Sequence, residues 1–165
     1  MSFAIGELLL YGTSGVCELK DIREEKISGE LRRYYILEPF YDKNSTVYVP
    51  CDNGMLVSKM RELIGKDEAK RLVEADDGKR TAWVEGDKPR RESFSLIIDT
   101  GDRGEIIRLA RTLTEKRCEC ERGGKKFHAC DEHVLARAQK VLCEELSIVL
   151  DQSREEILCA IYKKA

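Results

Sequence analysis

The chain is poor in the residues that most often carry enzyme chemistry. Two histidines and one tryptophan occur in 165 residues, which leaves little room for histidine acid–base work. There is no GxSxG, P-loop, GxGxxG or HExxH signature, so the nucleophile, phosphate and zinc-protease motifs are missing. No enzyme activity and no cofactor are expected. No apolar run approaches the roughly 18–20 residues of a membrane span; the run Leu8-Leu9-Leu10-Tyr11 near the N-terminus is strand-sized. No basic stretch followed by an apolar block marks a secretory signal. The expectation is a cytoplasmic protein with no membrane partner. Nor is there a charge surplus. The 29 basic and 31 acidic residues leave a net charge of −2, which excludes a polycationic DNA coat and confines any nucleic-acid contact to a local patch.

Cysteine, by contrast, is plentiful. Seven residues, irregularly spaced and odd in number, read as reduced thiols and not as a disulfide framework. Cys118, Cys120, His128, Cys130 and His133 are the candidate metal ligands, all within sixteen residues. Their spacing is Cys-x-Cys followed by His-x-Cys-x-x-His, whereas structural zinc favours two to four residues between paired cysteines. No metal is expected.

The length suits one medium domain or two small ones. Residues 1–57 carry short apolar runs between turn signals, with 6 basic and 9 acidic residues. Ser28-Gly29 marks a hairpin between Ile27 and Leu31, Arg33–Leu37 is rich in Tyr and Ile, and Asp42–Ser45 is a turn. Thr46-Val47-Tyr48-Val49 alternates, with Val47 and Val49 on one face, and Pro50 belongs at a strand end or edge. About five short strands predict a small antiparallel SH3- or Tudor-like barrel.

Residues 58–165 carry helical periodicity, with 23 basic and 22 acidic residues. Ser58–Ile64 and Asp67–Ala75 are short helix candidates. Pro89 fits the first position of a helix bearing Phe94, Ile97 and Ile98, which Gly101 ends. Asp102 caps the next helix, whose stripe is Ile106, Leu109, Ala110 and Leu113. Glu119–Lys126 reads as a loop, Val134–Val149 as a longer amphipathic helix, and Ser153 with Glu156 as a capping box. The fold class is α+β: a small barrel (1–57) followed by a compact helical domain (58–165).

Trp83 lies in Lys79–Arg91, which holds five basic and two acidic residues. Taken alone, a lone tryptophan there is a core residue by composition; beside glycine, proline and cations it also fits a nucleic-acid-facing loop. A second basic cluster, Arg103–Lys126, holds eight basic residues against four glutamates, with Lys125 and Lys126 beside Gly123-Gly124. Tyr34, Tyr35, Phe40, Tyr41 and Tyr48 are packing residues of the barrel or a cage for a methylated cation. The strand Thr46–Pro50 offers an open edge for a partner's strand.

The ordered set Phe3-Ala4-Ile5-Gly6-Glu7, Leu9–Val16, Tyr34-Tyr35-Ile36-Leu37 and Val47-Tyr48-Val49-Pro50-Cys51-Asp52-Asn53 resembles the CarD/CdnL family of bacterial RNA polymerase-binding regulators. Arg61, Trp83, Arg90-Arg91, Thr100-Gly101-Asp102 and Glu144-Glu145-Leu146 follow in the same order. The resemblance implies an N-terminal domain that binds the polymerase β subunit through Thr46, Val47, Tyr48, Val49 and Pro50. It also implies a helical domain that contacts promoter DNA weakly, in the minor groove at the upstream edge of the bubble, and stabilises the open complex. Carried over, Trp83 is the wedge, and Arg90 and Arg91 are phosphate contacts. Here Val84–Pro89 stands between the tryptophan and that basic pair, which brings Arg80 and Lys88 in beside them; Lys125 and Lys126 complete the DNA-facing set. The protein is expected to be monomeric and to reach the nucleoid through polymerase. Two other readings are open: a Tudor-like interaction module without DNA action, or a zinc or redox protein built on the cysteine cluster.

Overall fold

A computed structural model describes residues 2–162; Met1 and residues 163–165, the outermost positions of the two expected domains, lie outside them. The chain divides into two compact units, Met1–Ile64 and Gly65–Ala165. The fold is α+β, an antiparallel sheet followed by helices.

The first unit is a five-stranded antiparallel sheet in the order β4-β3-β2-β1-β5. Its strands are β1 (Leu8–Tyr11), β2 (Gly15–Ile27), β3 (Glu30–Pro39), β4 (Val47–Pro50) and β5 (Met60–Glu62). Every strand sends a side chain into one core: Leu9, Cys17 and Leu19, Leu37, Val49, and Met60, joined by Phe3. A sheet with all five strands pointing at one small core has to curl, and a bulge between Leu19 and Asp21 supplies part of the bend. The two-residue turn Ser28-Gly29 has φ of +54° and +87°, the twist that suits a tight hairpin. The β2–β3 ladder runs on to Ile27↔Glu30, whereas β1 pairs with β2 only over Gly15–Glu18 and β4 with β3 only over Tyr34–Leu37. The outer half of the hairpin is therefore a two-stranded ribbon.

The structure departs from the sequence pattern at the end of this unit. Residues 58–64, expected as a helix, contain β5, which pairs with β1 through Met60↔Tyr11 and Leu9↔Glu62. Without it the outer edge of β1 would keep its backbone groups unpaired, and three residues are too few for alternation to outweigh a helical reading. A short helix, α1 (Gly54–Val57), precedes it, with Asn53 Oδ1 accepting from the Leu56 N–H at 3.2 Å.

The second unit holds α2 (Lys66–Glu74), α3 (Asp87–Thr100), α4 (Arg103–Arg122), α5 (Ala129–Leu150) and α6 (Arg154–Tyr162). Pro89 sits third in α3, where its missing N–H would still lack an intrahelical partner; the first such bond is Arg90 N–H to Gly86 O at 3.0 Å. Gly101 stops α3 with φ +71°, and Asp102 Oδ1 accepts from Glu105 N–H at 3.1 Å to start α4. α4 runs through Glu119–Arg122, expected as a loop. Those residues contain no breaker, and Gly123-Gly124 is what ends the helix. The Ser153–Glu156 capping box forms in both directions, at 2.8 and 3.1 Å. The core is mainly apolar: Phe94, Ile106, Leu109, Leu113, Leu135, Leu146 and Ile157 are buried, with Arg90, Arg111, Thr112, Asp131 and Glu145 buried beside them. α5 is tied to α3 through Arg137 to Ser95 and Asp99, to α4 through Arg103 to Glu145, and to α6 through Gln139 to Tyr162. No helix among the described residues is long and apolar enough to cross a membrane.

Leu109→Ala removes a fully buried side chain from this core. It should lower unfolding free energy by about 2–5 kcal/mol, measured as a reduced urea midpoint with an unchanged slope.

Candidate nucleic-acid interface

Residues 75–86 join α2 to α3 with no helix or strand. They are not loose. The helix α4 offers a stripe at Arg108, Arg111, Thr112, Glu115 and Lys116, the three- and four-residue spacing of one face. The connecting segment runs along that stripe in step. Arg108 pairs with Asp77 at 2.7 Å, and also with Glu105 in its own helix. Arg111 donates to Ala75 O at 3.1 Å, and Thr112 Oγ1 accepts from the Thr81 N–H at 2.9 Å. Arg80 reaches Glu115 at 2.8 Å and grips both oxygens of Asp76 at 3.0 and 3.1 Å. Lys116 Nζ lies 5.1 Å from the centroid of the Trp83 ring.

Trp83 is half-buried. Its ring meets Phe94 edge-on at 5.8 Å, and the Arg90 guanidinium carbon lies 4.5 Å from its centroid. A cation over an indole at these distances is attracted by the ring quadrupole. Gly86, with φ +88°, lets the chain turn from this segment into α3; a Cβ there would meet Pro89 Cδ at 3.4 Å.

The basic residues expected around Trp83 separate into two kinds. Arg90 is 5% exposed. Its Nε and Nη2 donate to the two oxygens of Asp131 at 2.8 and 2.7 Å, Nη2 also reaches Asp87 at 2.9 Å, and Nη1 donates to Val84 O at 3.2 Å. Arg80 is likewise occupied by Asp76 and Glu115. Hydrogen bonds to those carboxylates raise the pKa of both guanidinium groups above the ordinary value. Lys88 and Arg91, in contrast, are exposed and three apart on α3, hence neighbours on one face. Lys125 and Lys126 are exposed beyond Gly123-Gly124. Residues 116 to 122 span about 9 Å of helix axis, so this lysine pair stands apart from the Trp83 contacts. Lys116 was legible only as one member of a basic cluster, and Asp131, Asp87 and Asp76 carried no sequence signal of their own.

The cysteine–histidine cluster does not converge. Cys118, Cys120 and Cys130 are half-buried, and His128 and His133 are exposed. Among the described residues no three His, Cys, Asp or Glu side chains form a metal-holding group. His128 instead caps α5, its Nδ1 accepting from the Cys130 N–H at 3.1 Å and its Nε2 lying 3.1 Å from Asp87.

In the N-terminal unit, β4 pairs with β3 and forms one end of the sheet order. Val47 and Val49 pack on the core, whereas Thr46 and Tyr48 are exposed and Pro50 is half-buried. Tyr48 meets Tyr34 edge-on at 6.0 Å. This unit coincides with a known family: residues 3–63 match the CarD-like/TRCF RID domain. The N-terminal unit is a CarD-like RNA polymerase-interacting domain. A chain carrying this CarD-like domain is an RNA polymerase-interacting, transcription-associated protein.

Arg80, and then the Gly78 N–H, hold the Asp76 carboxyl at about 2, below its ordinary 3.8. A folded-state pKa below the unfolded one contributes stability above the unfolded value, and that contribution disappears as pH falls through the folded one. Stability should therefore drop between about pH 4 and pH 2. Asp76→Asn should flatten that part of the profile, as read from urea unfolding across a pH series.

Proposed function

We propose that this protein regulates transcription by docking on the RNA polymerase β subunit through its CarD-like domain and setting Trp83 against promoter DNA at the upstream edge of the bubble. The observation that carries the reading is the setting of Trp83. The only tryptophan of the chain lies half-buried on a segment strapped along α4, with two cations over its ring. An indole sunk in the helical core would have no use at a duplex. This one has an open portion and cations beside it, the combination that suits an apolar wedge flanked by phosphate contacts.

The cations divide by role. Lys116, over the ring, and the exposed Lys88 and Arg91 of α3 are candidates for phosphates, and Lys125 and Lys126 form a second patch. Arg80 and Arg90 are committed to carboxylates and shape the segment that carries the tryptophan. With a net charge of −2, affinity for free DNA is weak. Docking on polymerase raises the local concentration of the helical unit at the promoter. The edge strand Thr46–Pro50, with Tyr48 outward, is the polymerase-facing surface, where strand addition supplies main-chain hydrogen bonds and the tyrosine supplies contact area.

The action is a population shift. A ring that inserts where base steps are already unstacked binds the melted promoter better than the closed one. A preference of about 1–2 kcal/mol changes open-complex occupancy roughly 5- to 30-fold. The protein acts as a cytoplasmic, non-enzymatic monomer.

Trp83→Ala should shorten the lifetime of the open complex roughly 5- to 30-fold, measured by competitor challenge, while leaving co-purification with polymerase intact. An unchanged lifetime removes the DNA role and leaves a polymerase-binding module. Tyr48→Asp should have the complementary effect, weakening co-purification by about tenfold or more; full retention of binding would move the docking surface away from β4.

A further inference from the structure

Arg90 is the least conspicuous cation near Trp83 by exposure and the most constrained by geometry. Its two donors Nε and Nη2 meet both oxygens of Asp131, a fork-to-fork pairing that fixes the guanidinium plane as well as its position. Asp131 is 3% exposed and Arg90 5%. The carboxylate stands in the first turn of α5, where the helix N-terminus favours negative charge. The remaining nitrogen, Nη1, donates to the carbonyl of Val84, next in sequence to Trp83. One guanidinium thus contacts the indole face and the backbone leaving it.

We propose that Arg90 and Asp131 are positioning residues for Trp83: their buried bidentate pair sets the pose in which the indole is held. This deepens the reading of Trp83 as the DNA-facing group and rests on it for its functional consequence. The chemistry separates Asp131 from the other carboxylate on Arg90. Asp87 is 57% exposed at its side chain and screened by water, so it contributes little. Lysine cannot replace Arg90, because an ammonium has no plane and cannot meet two carboxylate oxygens and a carbonyl in one fixed fork. The pair therefore acts on the ring through shape. Its contribution to fold stability is a separate quantity, since a buried ion pair is often replaceable by apolar residues at no cost in stability.

Trp83 is the chain's only tryptophan, so its fluorescence reports this site alone in the full-length protein. In Arg90→Lys and Asp131→Asn, emission should shift to the red and acrylamide quenching should rise about twofold, because the ring loses its fixed platform. Asp87→Asn should change neither. Leu109→Ala controls for general destabilisation and should lower the melting temperature with little change in quenching. The double variant Arg90→Met/Asp131→Leu removes both buried charges, so it keeps the fold where a single variant loses it. Its quenching should remain raised, and the open complex it supports should be short-lived like that of Trp83→Ala. Parental emission and quenching in the folded double variant would overturn the proposal, assigning the pair to packing alone. The fluorescence arm uses neither DNA nor polymerase. If Trp83→Ala leaves the open complex unchanged, the DNA reading fails while the positioning of the ring is still decided by quenching.

Discussion

The helical unit depends on what one buried guanidinium is allowed to touch. Arg90 follows a proline in the first turn of α3, and its side chain is buried instead of turned to solvent. Burying a cation is costly unless it is paired and every donor is used. Asp131, from α5, takes two of the five N–H donors of Arg90, and Val84 and Asp87 take one each. The outcome joins two helices and an irregular segment at one point. A half-buried tryptophan rests on that point, between the Arg90 and Lys116 cations and the apolar edge of Phe94.

The segment between α2 and α3 shows a second use of the same physics. Irregular backbone needs external partners for its polar groups. Here α4 provides two of them, Arg111 for the Ala75 carbonyl and Thr112 for the Thr81 amide, and adds side-chain partners: an arginine for Asp77, a glutamate for Arg80, and a lysine over the tryptophan. A helix face commonly used for apolar packing serves as a ruler for a loop. The Arg108–Asp77 pair is exposed and the Arg80–Glu115 pair part-buried, so they hold geometry more than they add free energy.

Local signals were readable in the sequence. The Ser28-Gly29 turn, the Asp102 cap, the Ser153–Glu156 box and the stop at Gly101 each need only four or five residues to act, and each forms. Signals that depend on a distant partner were not readable. β5 exists because β1 needs a neighbour, and nothing within Met60–Glu62 states that. The site shows the same division. The tryptophan, its glycine hinge and the exposed Lys88 and Arg91 could be picked out by residue type. Arg90 resembled its neighbour Arg91 in every local respect, and what separates them is a carboxylate 41 positions further along the chain. Charge type is written in the sequence; burial is decided by whatever folds against it.

The overhanging β2–β3 ribbon has a consequence for solution behaviour. Its two margins expose main-chain donors and acceptors that neither β1 nor β4 covers, and Leu31 near its tip is 65% exposed. Such a finger is a ready template for stacking one molecule on another. The positions that would line that stack are Arg23, Glu24, Glu25 and Lys26 on one side and Arg32 on the other, the Arg33 carbonyl being already taken by the Cys51 N–H at 2.9 Å. Docking a foreign strand would strip water from this row of ions. The same alternation of charge that lets Glu24 face Arg33 and Glu25 face Arg32 within the finger therefore acts as a guard against fibrous growth, keeping an uncovered edge compatible with a dispersed protein.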